Sequence, residues 1–551
     1  MPFSFRSPAL FSLLAPVLAL LPAVGDAQDS FARQRPAVEV TAALRSQLAN
    51  EKGPIHDWYS GRQFAPAWDG VTLSALSRFI SNLDRHGLRP ELFNLARWQA
   101  TWQSIPPSAA EEAKVDIATT HLALYAIQSL AYGFVDPVSV HSKWEAIPRT
   151  ITPVALLDEA LRQGPGEFAR WLEGAAAPPD PRYRNLVATL ARYREIASLG
   201  GWKSLPSPPK AVGPNEPYSE IPLLRARLRA EGDLPADAPH IRSKIIDPET
   251  AMALKSFQFR HGITPDAVLG PQTMMEMNHP VEHRLDTLVI NLDRLRWMPR
   301  AYDQSEHLEV NIAEGALRLF TAGRSVDTMR TIVGIKGQHQ TPVFHGSVRY
   351  LYFRPYWNVP LSIAKKEIVP LALDDPGYVA RENYEIVPGF GVGPDKVLPV
   401  TRENLEKVAS GQLSIRQGTG PGNALGLVKF IFPNDNSVYL HDTPNHDLFK
   451  ATDRDFSHGC VRVSEPDVLA DFVLRANGNW TLPAIQAAMQ DSTRPNQKVD
   501  LASPIPVYLV YWTSTIMDDN RVRFDQDIYG HDGEMFSKFG LGGQAVRTPG
   551  Q

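Results

Sequence analysis

The chain has 551 residues, 43% hydrophobic and 21% charged, with a formal net charge of −4 and a pI near 6.4. That length predicts two to four domains in a folded, soluble protein. No basic excess points to nucleic acid as a partner, and 47 prolines predict many extended or looped segments.

The chain opens with Arg6 as its only early charge, an apolar run from Ala9 to Leu21, and small residues at Gly25-Asp26-Ala27. Residues 1–27 therefore read as a secretory signal peptide. The alternative is an uncleaved inner-membrane anchor. The run is short for a span, and Pro16 and Pro22 interrupt it. Residues 30–200 carry helical spacing, for example over Val71 to Leu83 and Ala109 to Leu130, and predict a helical scaffold domain. Residues 201–219, with Pro206, Pro208, Pro209 and Pro217, predict an extended linker.

Residues 220–280 predict three short helices. The first begins at Ile221-Pro222, the second covers Thr250 to Phe259, and the third follows Asp266 to Thr273. Leu224, Arg227, Leu228, Gly232, Asp233, Phe257, Gln258, Gly262, Asp266, Gly270 and Thr273 give this stretch a resemblance to the peptidoglycan-binding module of cell-wall enzymes. Ala267 departs from the glycine usual at its place. From about 300 to 480 alternation takes over. Leu308 to Ile312, Leu317 to Phe320, Met329 to Gly334 and Val348 to Phe353 read as strands. Lys429 to Phe432 and Val438 to His441, joined by Pro433-Asn434-Asp435-Asn436, read as a hairpin. Residues 361–413 are more helical and polar, which predicts an inserted capping segment. Residues 500–551 predict a hairpin, formed by Val507 to Trp512 and Val522 to Phe524, and a tail. The fold class expected is multidomain α+β.

The chemistry concentrates around the single cysteine, in Ser457-His458-Gly459-Cys460-Val461-Arg462. A lone thiol in an exported chain has no partner for an internal disulfide, so a nucleophile is the sharper reading. A free thiol near pKa ~8.5 needs an activating environment. His441, on a strand, can accept its proton. Strand alternation puts Tyr439 with His441 on one face, and Cys460 with Arg462 on one face. Arg462 can steady a thiolate or bind a carboxylate. Gly459 admits close approach of substrate, and the backbone N–H groups around Gly459 and Cys460 are candidate oxyanion donors. His458 reads as an organiser and Ser457 as a loop-holding group. Tyr439, Ser457, Trp357 and Asn358 join Arg462 as candidates for holding substrate. A zinc site from His441, His446, His458 and Cys460 is a rival, but Cys-x-x-Cys and His-Glu-x-x-His are both absent.

His441, Ser457, His458, Gly459, Cys460, Val461 and Arg462 closely resemble the motif of the L,D-transpeptidases, the YkuD-type catalytic domain. Gln340 to Phe344, Pro355 to Pro360, Arg416-Gln417, Pro421 to Gly426 and Lys429-Phe430 extend the likeness to its large Gram-negative, YcbB-like branch. The resemblance implies a periplasmic enzyme of cell-wall biogenesis with a cysteine acyl-enzyme and no cofactor or metal. Its donor would be a tetrapeptide stem that loses D-Ala. Its acceptor would be the side-chain amine of a second stem, giving a 3→3 cross-link. Carbapenems would acylate Cys460. A cysteine peptidase or amidase using water as acceptor, and a wall-binding protein with an inactive catalytic domain, are the alternatives.

Overall fold

The computed structural model describes residues 36–104, 108–145, 147, 150–239, 243–300, 302, 305–391 and 396–542. The expected leader at 1–27 and the tail from 543 onward lie outside them. Among the described residues, eight α-helices form the N-terminal scaffold: α1 (Ala37–Leu48), α2 (Pro54–Gly61), α3 (Gly70–Asn82), α4 (Leu95–Gln103), α5 (Ala109–Tyr132), α6 (Pro153–Gln163), α7 (Phe168–Ala176) and α8 (Pro181–Ser198). Asp69 caps α3 by accepting from Val71 and Thr72 N–H groups. Central helix α5 buries Asp116, whose carboxylate accepts from the Tyr59 hydroxyl at 2.7 Å and the amides of Ala67 and Trp68. Among the described residues, no helix is long and apolar enough to cross a membrane.

Helices α9 (Ile221–Glu231), α10 (Pro248–Arg260) and α11 (Pro271–Asn278) make the small module, with its own core around Leu224, Leu228, Leu254 and Phe257. The Gln258 side chain is its hub. It donates to Asp266 at 2.8 Å and Thr273 at 3.1 Å, and accepts from the Ala267 amide at 2.8 Å. Ala267 has φ +62°, a left-handed position that explains why glycine suits this place. The proline-rich 201–219 stretch is extended but not free. The Leu205 amide bonds Asn278, the Trp202 indole bonds the His279 carbonyl, and Val212 bridges to Leu269. Helix α12 (Val281–Arg296) then runs through the middle of the molecule. Its Asp293 accepts from the amides of Phe134 and Val135, and its Arg294 pairs with Asp532 at 2.6 Å.

The C-terminal half is built on strands β1 (His307–Asn311), β2 (Ala316–Thr321), β3 (Arg324–Gly334), β4 (Phe344–Phe353), β8 (Val428–Ile431), β9 (Leu440–His441), β10 (Asp455–Ser457), β11 (Val461–Val463) and β12 (Gln497–Val510). Their order is β10-β3-β11-β9-β8-β4-β12-β1-β2. Because β2 also pairs with β3, the sheet closes on itself through eight strands, with β10 extending β3. Closure removes the free edges that an open sheet must protect. Strand 507–512 does not form the hairpin expected of it. Its residues Val507–Val510 are the end of β12, parallel to β1 and antiparallel to β4. The C-terminal hairpin is instead β13 (Ser514–Ile516) with β14 (Val522–Phe524).

The insertion is helical, as expected, but includes a strand. Short helices Leu361–Ile363, Val369–Asp374, Gly377–Arg381 and Arg402–Ala409 surround β6 (Tyr384–Val387). A three-stranded sheet, β5 (Trp357–Asn358), β7 (Ser414–Gln417) and β6, joins the insertion to the rest. Its core, including Ile363, Ile368, Leu405 and Ile415, is separate from the main one.

Candidate active site

Strand pairing assembles the site. The turn between β8 and β9 is held by Asn434, whose side chain donates to the carbonyls of Phe432 and Val438 and accepts from the Asn436 and Val438 amides. The resulting register puts Lys429 opposite His441. Strand β11 runs parallel to β9 and puts Arg462 opposite His441. Directly paired residues share a face of a sheet. Lys429, His441 and Arg462 therefore form one row, with Tyr439 and Cys460 beside it. Their alternates Phe430, Leu440, Val461 and Val463 point into the core and are fully buried.

The Cys460 thiol is half-buried. Its Sγ lies 3.7 Å from the Ser437 carbonyl and bonds the Tyr439 hydroxyl. Burial pushes the thiol pKa up, while Tyr439, Arg462 and Lys429 act against that rise. His441 is buried. Its Nδ1 lies 2.5 Å from the Asp442 carbonyl, which fixes Nδ1 as donor and leaves Nε2 as acceptor. Burial, reinforced by Arg462 and Lys429, lowers its pKa to about 3. At neutral pH the row holds a protonated thiol and a neutral imidazole, the state in which a histidine can act as base.

Two cations complete this face. Burial lowers Lys429 to about 8; its Nζ donates to the Tyr356 carbonyl at 3.3 Å and sits 4.9 Å from the Tyr352 ring centre. Arg462 is partly buried, with a buried Nε that has no hydrogen-bond partner. Neither has a carboxylate within ion-pair distance among the described residues, so both are available to an anionic ligand. Lys429 carries no special motif of its own. The signal that finds it is the hairpin register, which sets it opposite His441.

The loop leading to Cys460 is tied at several points. The Ser457 hydroxyl donates to the Cys460 carbonyl at 2.6 Å and accepts from the Gly459 amide at 3.1 Å. Of the two amides expected as oxyanion donors, that of Gly459 is already taken, which leaves that of Cys460 as the candidate. Gly459 is needed for its backbone, at φ +107°. His458 makes its contacts with other parts of the chain. Its Nε2 meets Glu367 of the insertion at 3.0 Å, and its ring lies 4.8 Å from that of His339. Trp357 and Asn358 are not in the row. They belong to the small sheet, Trp357 half-buried near Tyr384 and Asn358 exposed. Of the four residues of the zinc alternative, His446 pairs with Asp442 at 3.1 Å and His458 with Glu367. Among the described residues no three potential ligands converge on one point.

This row of thiol, imidazole and cations lies in a stretch, 305–496, that matches the YkuD family, described as an L,D-transpeptidase catalytic domain. Residues 53–190 match a family described as a scaffold domain, and 218–277 one described as a "Putative peptidoglycan binding domain". A protein of Haemophilus influenzae named "Putative L,D-transpeptidase" is 32% identical over 245 residues, covering 44% of this chain and 48% of that protein. The match thus spans about half the length of that relative. A crystal structure of the L,D-transpeptidase from Xylanimonas cellulosilytica is 15% identical, covers 56% of this chain and 100% of its own, and superposes with a TM-score of 0.18. A superposition that loose says nothing further about the fold.

Proposed function

We propose that the protein is a cysteine-dependent L,D-transpeptidase that forms 3→3 peptidoglycan cross-links, exported by residues 1–27 and working in the periplasm. The observation that carries the reading is the shared strand face of Cys460, His441 and Arg462 within a YkuD-type domain. The neutral imidazole takes the thiol proton as Sγ bonds the carbonyl carbon at the L-centre of the third-position diamino acid. The bond to the terminal D-Ala breaks, its nitrogen receives the proton from His441, and a thioester remains. The side-chain amine of a second stem then attacks the thioester and loses a proton to His441. The carbon–sulfur bond breaks and the thiol is restored. The thioester conserves the energy of the peptide bond it replaces, so no nucleotide enters the scheme.

Lys429 and Arg462 supply positive charge for the stem carboxylates, with Tyr439 at the thiol. The 218–277 module brings the chain to the wall, where cross-linking remodels it and maintains cell shape. Water in place of the amine gives a carboxypeptidase side activity. Carbapenems acylate the same sulfur. The test is incubation with tetrapeptide muropeptides followed by mass spectrometry. Dimers and free D-Ala are expected from the native protein and neither from Cys460→Ala. Tripeptides without dimers would overturn the transferase reading.

A further inference from the structure

Four hydrogen bonds join the nucleophile loop to a residue far outside the matched catalytic stretch. The Tyr529 hydroxyl donates to the Gly334 carbonyl at 2.6 Å and accepts from the Thr341 amide at 3.2 Å. The Thr341 hydroxyl accepts from the Gly334 amide at 2.9 Å and donates to the Gly459 carbonyl at 2.9 Å. Both hydroxyls are thereby satisfied as donor and acceptor, so neither can rotate without losing a bond. The loop between Gly334 and Thr341 has no slack either. A Cβ on Gly334 would lie 1.7 Å from the His339 carbonyl oxygen.

The peptide linking Gly459 to Cys460 is planar and trans, so its C=O and N–H point in opposite directions. Holding the Gly459 carbonyl on Thr341 therefore aims the Cys460 N–H the other way. Ser457 already occupies the Gly459 amide and the Cys460 carbonyl. The direction of the Cys460 amide is thus the one degree of freedom that the Thr341 bond decides. Tyr529 is itself well held. Its ring stacks on Tyr511 at 5.8 Å and 21°, its amide donates to the Tyr511 hydroxyl at 2.8 Å, and that hydroxyl donates to Asp527 at 2.7 Å. Burial keeps its phenol protonated up to about 12, so the donor to Gly334 persists through the working range.

We propose that Tyr529 and Thr341 are positioning residues that aim the Cys460 backbone amide at the oxyanion of the acyl-transfer step. The proposal rests on Cys460 being the acyl-forming nucleophile. It assigns to the C-terminal segment a part in a reaction whose family match ends at 496.

The experiment compares native protein with Tyr529→Phe, Thr341→Val and Thr341→Ser. Two rates are read by intact mass: acylation of Cys460 by a carbapenem, which forms an oxyanion, and alkylation by iodoacetamide, which does not. Loss of one oxyanion donor typically costs about 100- to 1,000-fold; a misaimed donor is expected to cost about tenfold. Acylation should fall by that factor in Tyr529→Phe and Thr341→Val, with alkylation unchanged. Thr341→Ser, which restores the hydroxyl, should recover most of what Thr341→Val loses. Turnover with muropeptides should lose kcat while KM holds. Unchanged acylation in both hydroxyl-deleted variants would overturn the proposal. So would acylation and alkylation falling together, or Thr341→Ser behaving as Thr341→Val. A native protein that alkylates but never forms a carbapenem adduct or a muropeptide product would overturn the nucleophile reading, and the positioning role with it.

Discussion

The small module and the inserted segment are both appendages of the catalytic sheet, yet they are attached by opposite means. The module is fixed through buried charge. Arg260, fully buried and paired with Asp233 inside the module, donates across to the Val522 carbonyl at 2.7 Å. Arg521 reaches the same Asp233 at 3.1 Å and Ser256 at 2.8 Å, and Arg523 donates to the Phe259 carbonyl. From the other side the Tyr193 hydroxyl donates to buried Glu231 at 2.8 Å. The insertion has a core of its own and meets the catalytic motif through Glu367 and His458, whose side chains are 50% and 39% exposed. Breaking a buried pair leaves an uncompensated charge and costs about 3–5 kcal/mol, whereas an exposed pair is worth about 0–1 kcal/mol. The charged contacts that tie the module to the hairpin are therefore the costlier to break, and the Glu367–His458 contact is the cheaper.

Substituting Arg260→Met attacks the comparison at its strongest point. Asp233 stays buried with only Arg521 to face it, and thermal unfolding should show a loss of about 3–5 kcal/mol. A loss below 1 kcal/mol would mean that buried charge does not hold the module together. Tyr193→Phe removes one hydrogen bond to a buried carboxylate and should cost about 1–3 kcal/mol in the same measurement.

Acidification tests the module more gently. Burial, with Arg284 adding to it, holds the His261 imidazole well below its ordinary range. Burial alone would raise Glu231, but Arg227 and Arg260 beside it hold it well below the usual carboxylate range. For both groups the unfolded chain binds protons before the folded one does, so stability falls as pH falls. For His261 the fall begins near the unfolded value of about 6.5, and for Glu231 near about 4.3. Melting curves should drop between pH 7 and 5, and His261→Phe, which preserves the stack on Phe257 and Phe524, should flatten that drop. An equal drop in the variant would assign the effect elsewhere.

The smallest effect is expected at the insertion. Glu367→Gln should change global stability by about 0–1 kcal/mol, while amide exchange across 361–413 quickens. A large global loss would place the insertion in the same class as the module.

What the sequence made legible was local. The turn chemistry of Pro433 to Asn436 gave the β8–β9 hairpin, and alternation along it placed Tyr439 with His441. The same register leads to Lys429. Alternation from Cys460 likewise put Arg462 on the thiol's face. The non-local pairings could not be read this way. Thr341 meets Gly459 across 118 residues and Tyr529 across 188. Val507 to Trp512 has the pattern of any buried strand, and only its pairing with Leu308 to Asn311 removes it from the hairpin where proximity in sequence would put it. The proline-rich stretch was legible as extended. Its anchoring by Asn278 and Leu269 was not, because extended backbone gives no sign of what lies beside it.

The place of β12 between β4 and β1 sets an order of assembly. A chain that has so far supplied residues only to 496 holds every side chain of the catalytic motif but lacks a strand from the middle of its sheet. Both neighbours must wait for it, and pairing Leu308 with Val507 closes a long loop late in folding. Through that interval the thiol belongs to an unfinished barrel. A fragment cut at the end of the matched family stretch would carry the motif without a central strand of the sheet that holds it.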